Sequence, residues 1–194
     1  MTARWMWGAL ALVFALHWTV PAALIQRGTA TLERGTQYRF RTAPVDPVDP
    51  FRGRYVALDF DAARIAVNAQ AEYAEGETLY AAITVGDDGF AHLLPPQHGL
   101  PKTGDALKVT VLWNNEGELG VALPFDRYYL DEALAPEAEQ IYRERNRRVN
   151  PDEADDADPR RPAYVTVRVL DGYAVLEQLY IDGMPVRALI DSQP

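Results

Sequence analysis

Hydrophobic and polar positions divide the chain into stretches of different period. From Trp5 to Ile25 the run is apolar, broken only by His17 and Thr19, and carries no formally charged side chain. A run of about 20 such residues matches the hydrocarbon core of a bilayer, so the pattern predicts one spanning helix through residues 5–25. Trp5, Trp7 and Trp18 suit the interfacial belts, although Trp18 falls deeper in the run. Residues 1–26 then form a membrane anchor and residues 27–194 a single β-rich domain. A rival reading is a signal peptide. Val20-Pro-Ala22 places small residues where a signal peptidase needs them, with Arg4 as the positive n-region and cleavage after Ala22.

Beyond Arg27 the period changes to two. Val165, Val167 and Val169 alternate with Thr166 and Arg168, the mark of a strand with one buried face. Strands are predicted at 38–42 and 54–60. Strand–turn–strand units follow at 78–85 with 90–94, at 106–113 with 118–123, and at 163–170 with 173–181. Gly86-Asp-Asp-Gly89, Asn114-Asn-Glu-Gly117 and Asp171-Gly172 supply the turns. Asp-Gly between strands favours a type I′ turn, whose central residues both need positive φ. Asp182-Gly183 repeats the signal before a further extended run at 185–190. The expected fold is mainly β: an antiparallel sandwich or partly closed barrel. It carries one amphipathic helix and follows a single N-terminal transmembrane helix.

That amphipathic helix is expected over 131–149, where Leu134, Ala138, Ile141, Tyr142 and Arg145 share a face. Acids gather near its start and arginines near its end, which complements the helix dipole. It either packs on the sheet or docks a partner. The acidic run from Asn150 to Pro162 lacks the spacing and glycine of an EF-hand loop, so no calcium site is expected.

Composition removes several chemistries. The net charge of −9 argues against nucleic-acid binding, which needs a basic face. Cysteine is absent, so disulfides, thiolate metal sites and cysteine nucleophiles are excluded. The only serine is Ser192, the third residue from the end of the chain, which is no place for a nucleophile. His92 and His98 are the only histidines beyond the first apolar run, too few for an ordinary histidine-rich zinc site. No cofactor and no metal are called for. Arg4 is the only charged side chain before Arg27, so all 28 acidic residues lie in the domain. Arg27, Arg34, Arg39 and Arg41 follow the anchor and would favour a cytoplasmic domain. Long domains translocate largely regardless of such charges, and the reading adopted is an extracytoplasmic domain.

The segment with most individual character runs from Pro44 to Phe60. Two Asp-Pro steps, at Asp46 and Asp49, stiffen the backbone, since each proline fixes its own φ and keeps the preceding residue out of the helical region. Arg52 stands where it can fork onto either carboxylate. Gly53 allows a turn or a close backbone approach. On a regular strand Tyr55 and Leu58, three apart, face opposite sides. The bland role for Asp46, Asp49 and Arg52 is to pin the loop; a binding surface is the sharper one. An acid–base site has little support from paired carboxylates alone.

Gly53-Arg-Tyr-Val-Ala-Leu-Asp-Phe60 resembles the motif of the GDYXXLXY protein family, a bacterial group of uncharacterised function with an N-terminal membrane anchor. Arg127-Tyr-Tyr-Leu-Asp-Glu132 resembles a second shared block. Leu170-Asp-Gly172 and Leu179-Tyr-Ile-Asp-Gly183 resemble the closing strands. Gly53, Tyr55 and Leu58 match the name-giving letters. Arg54 replaces the acid and reverses its charge, and Phe60 replaces the last tyrosine. The resemblance implies a single-pass protein of the bacterial inner membrane, working as a non-enzymatic accessory or interaction domain with an integral membrane partner. The alternative is an extracytoplasmic carboxylate-dependent hydrolase or carbohydrate-binding domain, drawing on the acidic surplus and on Trp113, Tyr128 and Tyr129.

Overall fold

The computed structural model describes residues 3–43, 55–115, 117–129, 142 and 163–191. Helix α1 (Ala3–Arg34) holds 32 residues, about 48 Å at 1.5 Å per residue. It is continuous past residue 26. Large apolar side chains stand exposed all round it, including the consecutive Leu12, Val13 and Phe14. Among the described residues, no helix is long and apolar enough to cross a membrane. The side chains of residues 1–6, 9 and 11 lie outside the described set.

Gly35 ends the helix. Its amide donates to the Thr31 carbonyl at 2.8 Å. A Cβ at Gly35 would stand 2.4 Å from that oxygen and 2.9 Å from the Val169 carbonyl. Only glycine lets the helix end press this closely on a strand. The Thr31 hydroxyl, fully buried, donates to the Arg27 carbonyl at 2.9 Å.

The rest of the described residues are mainly β, and the strand pairs among them are antiparallel. One five-stranded sheet has the order β12-β11-β10-β1-β3. It is built from β1 (Thr36–Ala43), β3 (Asp59–Phe60), β10 (Tyr164–Leu170), β11 (Tyr173–Ile181) and β12 (Met184–Pro185). The other has the order β4-β8-β7-β5-β6. Its strands are β4 (Arg64–Ala66), β5 (Thr78–Val85), β6 (Ala91–Leu93), β7 (Ala106–Asn115) and β8 (Glu118–Ala122). A two-stranded ribbon joins β2 (Tyr55–Ala57) to β9 (Arg127–Tyr129).

Both sheets feed one core. Val165, Val167 and Val169 of β10 are fully buried, as their alternation predicts, and meet the same cluster as Leu79, Leu107, Val109 and Val121 from the second sheet. Phe40, Phe60 and Phe125 form an aromatic trio, with ring centroids 5.2, 5.3 and 6.5 Å apart. Gly120 sits under the Trp113 indole, where a Cβ would fall 2.1 Å from a ring carbon. That contact explains a glycine inside a strand.

The Asp-Gly expectations hold at residue level. Asp171 and Gly172 have φ of 48° and 75°, and Asp182 and Gly183 have 53° and 79°. Three expectations are corrected. The run 185–190 is not a strand. Met184 and Pro185 pair with β11, and the chain then winds into helix α2 (Val186–Asp191). Val186, Leu189 and Ile190 are buried there, the three-and-four spacing of a helix face. The strand at 54–60 is split at Leu58. The turn expected at 114–117 begins later, since β7 runs on to Asn115. The helix expected over 131–149 lies outside the described residues except for Tyr142, which is helical and buried.

The Tyr38 hydroxyl on β1 donates to Asp105 at 3.0 Å, just ahead of β7, tying one sheet to the other. Burial pushes the phenol up from 10.0 to about 12, and the Asp105 carboxylate adds to the shift through its hydrogen bond and its charge. A folded-state value raised above the unfolded one stabilises the fold below the unfolded value and is lost as pH rises through the folded value. The denaturant midpoint is therefore expected to fall between pH 10 and pH 12. Tyr38→Phe should start lower and decline less over that window. An equal decline in both proteins would refute the tie.

Candidate docking groove beside the motif strand

Of the residues singled out in the sequence, Asp46, Asp49, Arg52, Gly53 and Arg54 lie outside the described residues. Tyr55 is placed by its backbone alone. It opens β2 and pairs with Tyr129 across the ribbon, followed by Val56 with Tyr128 and Ala57 with Arg127. The first block of the family resemblance therefore pairs directly with the second, some 70 residues later.

Leu58 is the corner at which the chain changes sheets. Its amide donates to the Asp126 carbonyl at 2.9 Å, and its side chain is buried. Two residues on, Phe60 pairs with Thr42 of β1 and buries its ring in the aromatic trio. Asp59 spends one carboxylate oxygen on the Phe60 amide, at 2.9 Å. Because the strand is interrupted, the regular alternation between Tyr55 and Leu58 does not apply. Leu58 and Phe60 are packing residues.

Beside this pairing lies a groove of about 590 Å³. Its walls are the lead-in to β9, β9 itself, β11 from Tyr173 to Gln178, and Arg187 from α2. Tyr128 is buried and Tyr129 is 67% exposed. Burial pushes the Tyr128 phenol up, and the charge of Arg187 and the Leu179 amide partly offset this. The phenol stays protonated at neutral pH and acts as a hydrogen-bonding group.

Glu177 sits on the groove at an irregularity in the sheet. Thr166 pairs with Gln178 and Val167 with Leu176, so Glu177 is the extra residue of a bulge. Burial alone raises its carboxyl, but Gln37 and Arg168 outweigh that effect and hold it below the usual carboxylate value. Arg168 Nε lies 3.3 Å from it, and Arg168 Nη1 also donates to the Gly35 carbonyl at 3.2 Å. A carboxylate committed in this way is a poor proton acceptor. Sequence reading missed Glu177, Gln178 and Arg187. A charged residue falling in the strand 173–181 was the available signal for Glu177.

A second cluster occupies the outer face near β6. Arg41 meets Asp88 at 3.1 Å and lies over the Phe90 ring at 4.7 Å. His92 Nε2 stands 3.7 Å from the other Asp88 oxygen. Tyr164 packs edge-on against Phe90 and stacks on Tyr180 at 4.8 Å. The Phe90 amide holds the Asp88 carboxyl below its ordinary value; desolvation opposes this, and Arg41 and His92 reinforce it. The cluster joins β1 to the β5–β6 turn and leaves Asp88 a weak base. Among the described residues no three His, Asp or Glu side chains stand close enough to hold a metal ion.

The blocks of resemblance thus fall on structural events: the β2–β9 pairing, the Leu58 corner and two positive-φ turns. No curated protein and no solved structure matches the chain. A model of the GDYXXLXY protein family matches residues 17–179, most of its length. On that match the chain belongs to the GDYXXLXY protein family.

Proposed function

We propose that this protein is a membrane-anchored, non-enzymatic accessory domain that works with an integral membrane partner. The observation that carries the reading is α1. Apart from His17, its large side chains from Trp7 (69%) to Ile25 (69%) are apolar on every face and exposed. A helix that is hydrophobic all round belongs inside lipid or inside a larger protein. On this reading the apolar run of α1, counted with Trp5, Met6, Ala9 and Ala11, whose side chains lie outside the described set, crosses the bacterial inner membrane once, and the β-domain stands outside the cytoplasm. The groove beside the motif strand, with Tyr129 at its surface, is the face offered to the partner. Exposed aromatics of this kind are frequent anchors of protein interfaces.

Affinity capture from gently solubilised membranes tests the proposal. The full chain is expected to recover an integral membrane protein. Tyr129→Ala should recover about tenfold less, the scale of one anchoring side chain, with thermal melting unchanged. Equal recovery would remove the groove from the reading. The second reading, a carboxylate-dependent hydrolase or carbohydrate-binding domain, draws on Asp88, His92 and the stacked Tyr164–Tyr180 face. A purified chain that hydrolyses a glycan, and stops when Asp88 is changed to Asn, would favour it over the accessory role.

A further inference from the structure

At the foot of α1 a second pocket, of about 600 Å³, opens between the helix and the outer face of the second sheet. Cross-strand pairing builds its floor. Tyr80 pairs with Lys108 and Thr78 with Thr110, so four polar side chains stand on one face of β5 and β7. Leu79, Leu107 and Val109 point the other way, into the core. The β10–β11 turn forms the wall, for a Cβ at Gly172 would lie 3.2 Å from the Tyr80 ring. Arg27 enters from the helix with its guanidinium 4.6 Å over the Tyr173 ring. Asp171 is the single acid among the lining residues, against Arg27 and Lys108. A net positive, hydroxyl-rich pocket stands out in a chain of net charge −9.

We propose that this pocket receives the phosphate of an anionic membrane lipid. Arg27 follows the last apolar residue of the run, Ile25, by two positions, about 3 Å along the helix axis. That is headgroup depth if residues 5–25 fill the hydrocarbon core. The site therefore rests on the anchoring reading for its position, though not for its chemistry. Arg27 supplies a planar fork of donors, Lys108 a point charge, and Thr78, Tyr80 and Thr110 hydroxyl donors. A phosphodiester oxygen pair accepts from both kinds of group. The zwitterionic headgroup of phosphatidylcholine brings a quaternary cation that the two basic residues repel.

The test uses the purified full chain in non-ionic detergent. Phosphatidylglycerol or phosphatidylcholine is added, and retained lipid is counted by native mass spectrometry. Phosphatidylglycerol is expected to be retained about tenfold more, and Lys108→Gln to lower its retention about tenfold, the scale of one charge-assisted hydrogen bond. Lys108→Arg should restore most of it. Lys108 is exposed on the sheet, so melting temperatures are expected to match. Equal retention of the two lipids, or no effect of Lys108→Gln, overturns the proposal. Inorganic phosphate that displaces phosphatidylglycerol at equal concentration also overturns it, in favour of a water-soluble anion. Alkaline extraction of membranes, run in parallel, reports on the anchor alone. Loss of membrane retention with selective lipid binding intact would sink the anchor and leave the site standing.

Discussion

Replacing Phe40 with Ala is expected to lower the unfolding free energy by about 3–5 kcal/mol. Phe40 is fully buried on β1, the strand that pairs with both β10 and β3. Its ring meets Phe60 at 6.5 Å and Phe125 at 5.2 Å. Truncation removes a large apolar surface from the core and two aromatic contacts. Three separate chain segments meet at the void, and all are held in place by strand pairing or by the Leu58 corner, so collapse around it is restricted. Against a total stability of about 5–15 kcal/mol, the loss is a large fraction of the fold. Urea denaturation of the full chain in detergent measures it. A midpoint shift equivalent to less than about 1 kcal/mol would show that the trio does not hold the core together. Leu58→Ala should follow in the same direction, by about 2–5 kcal/mol, because the corner side chain belongs to the same core.

The second large effect concerns α1. Leu12 and Leu16 are four residues apart, on one face near the middle of the apolar run, and stand 71% and 68% exposed. If α1 is the anchor proposed above, changing both to Arg releases the chain from membranes under alkaline extraction. Each Arg near the centre of a spanning helix costs about 2.5–3.5 kcal/mol on insertion scales, so the pair costs about 5–7 kcal/mol. The β-domain should keep its melting temperature, since neither side chain belongs to the core. Continued sedimentation of the double variant with the membrane would refute lipid embedding and point to α1 packing within another protein.

What the sequence disclosed is what local chemistry controls. The Asp-Gly turns were legible because positive φ is a property of two residues. The buried face of β10 was legible because Val165, Val167 and Val169 alternate within one strand. The unread parts depend on distant partners. Strand β9 is three residues long, and its identity as a strand comes from pairing with β2. The break at Leu58 arises because Tyr55–Ala57 pair with β9 whereas Asp59 and Phe60 pair with β1. The run 185–190 is short and apolar, and period alone does not separate strand from helix at that length. The candidate groove was hardest to foresee. It depends on a bulge that aims Glu177 and on a helix that carries Arg187, neither of which has a short motif.

Gly35 gives α1 a mechanical role. There is no slack tether between the helix and the sheet: the last turn is pressed against β10 by contacts that admit no side chain at residue 35. Arg168 grips the Gly35 carbonyl and Glu177 together. A tilt or rotation of the helix is then passed on as a tilt or rotation of the β10–β11 hairpin, which forms part of the groove wall. The junction leaves no room for a methyl group, so any side chain at residue 35 would have to push the helix end off the strand.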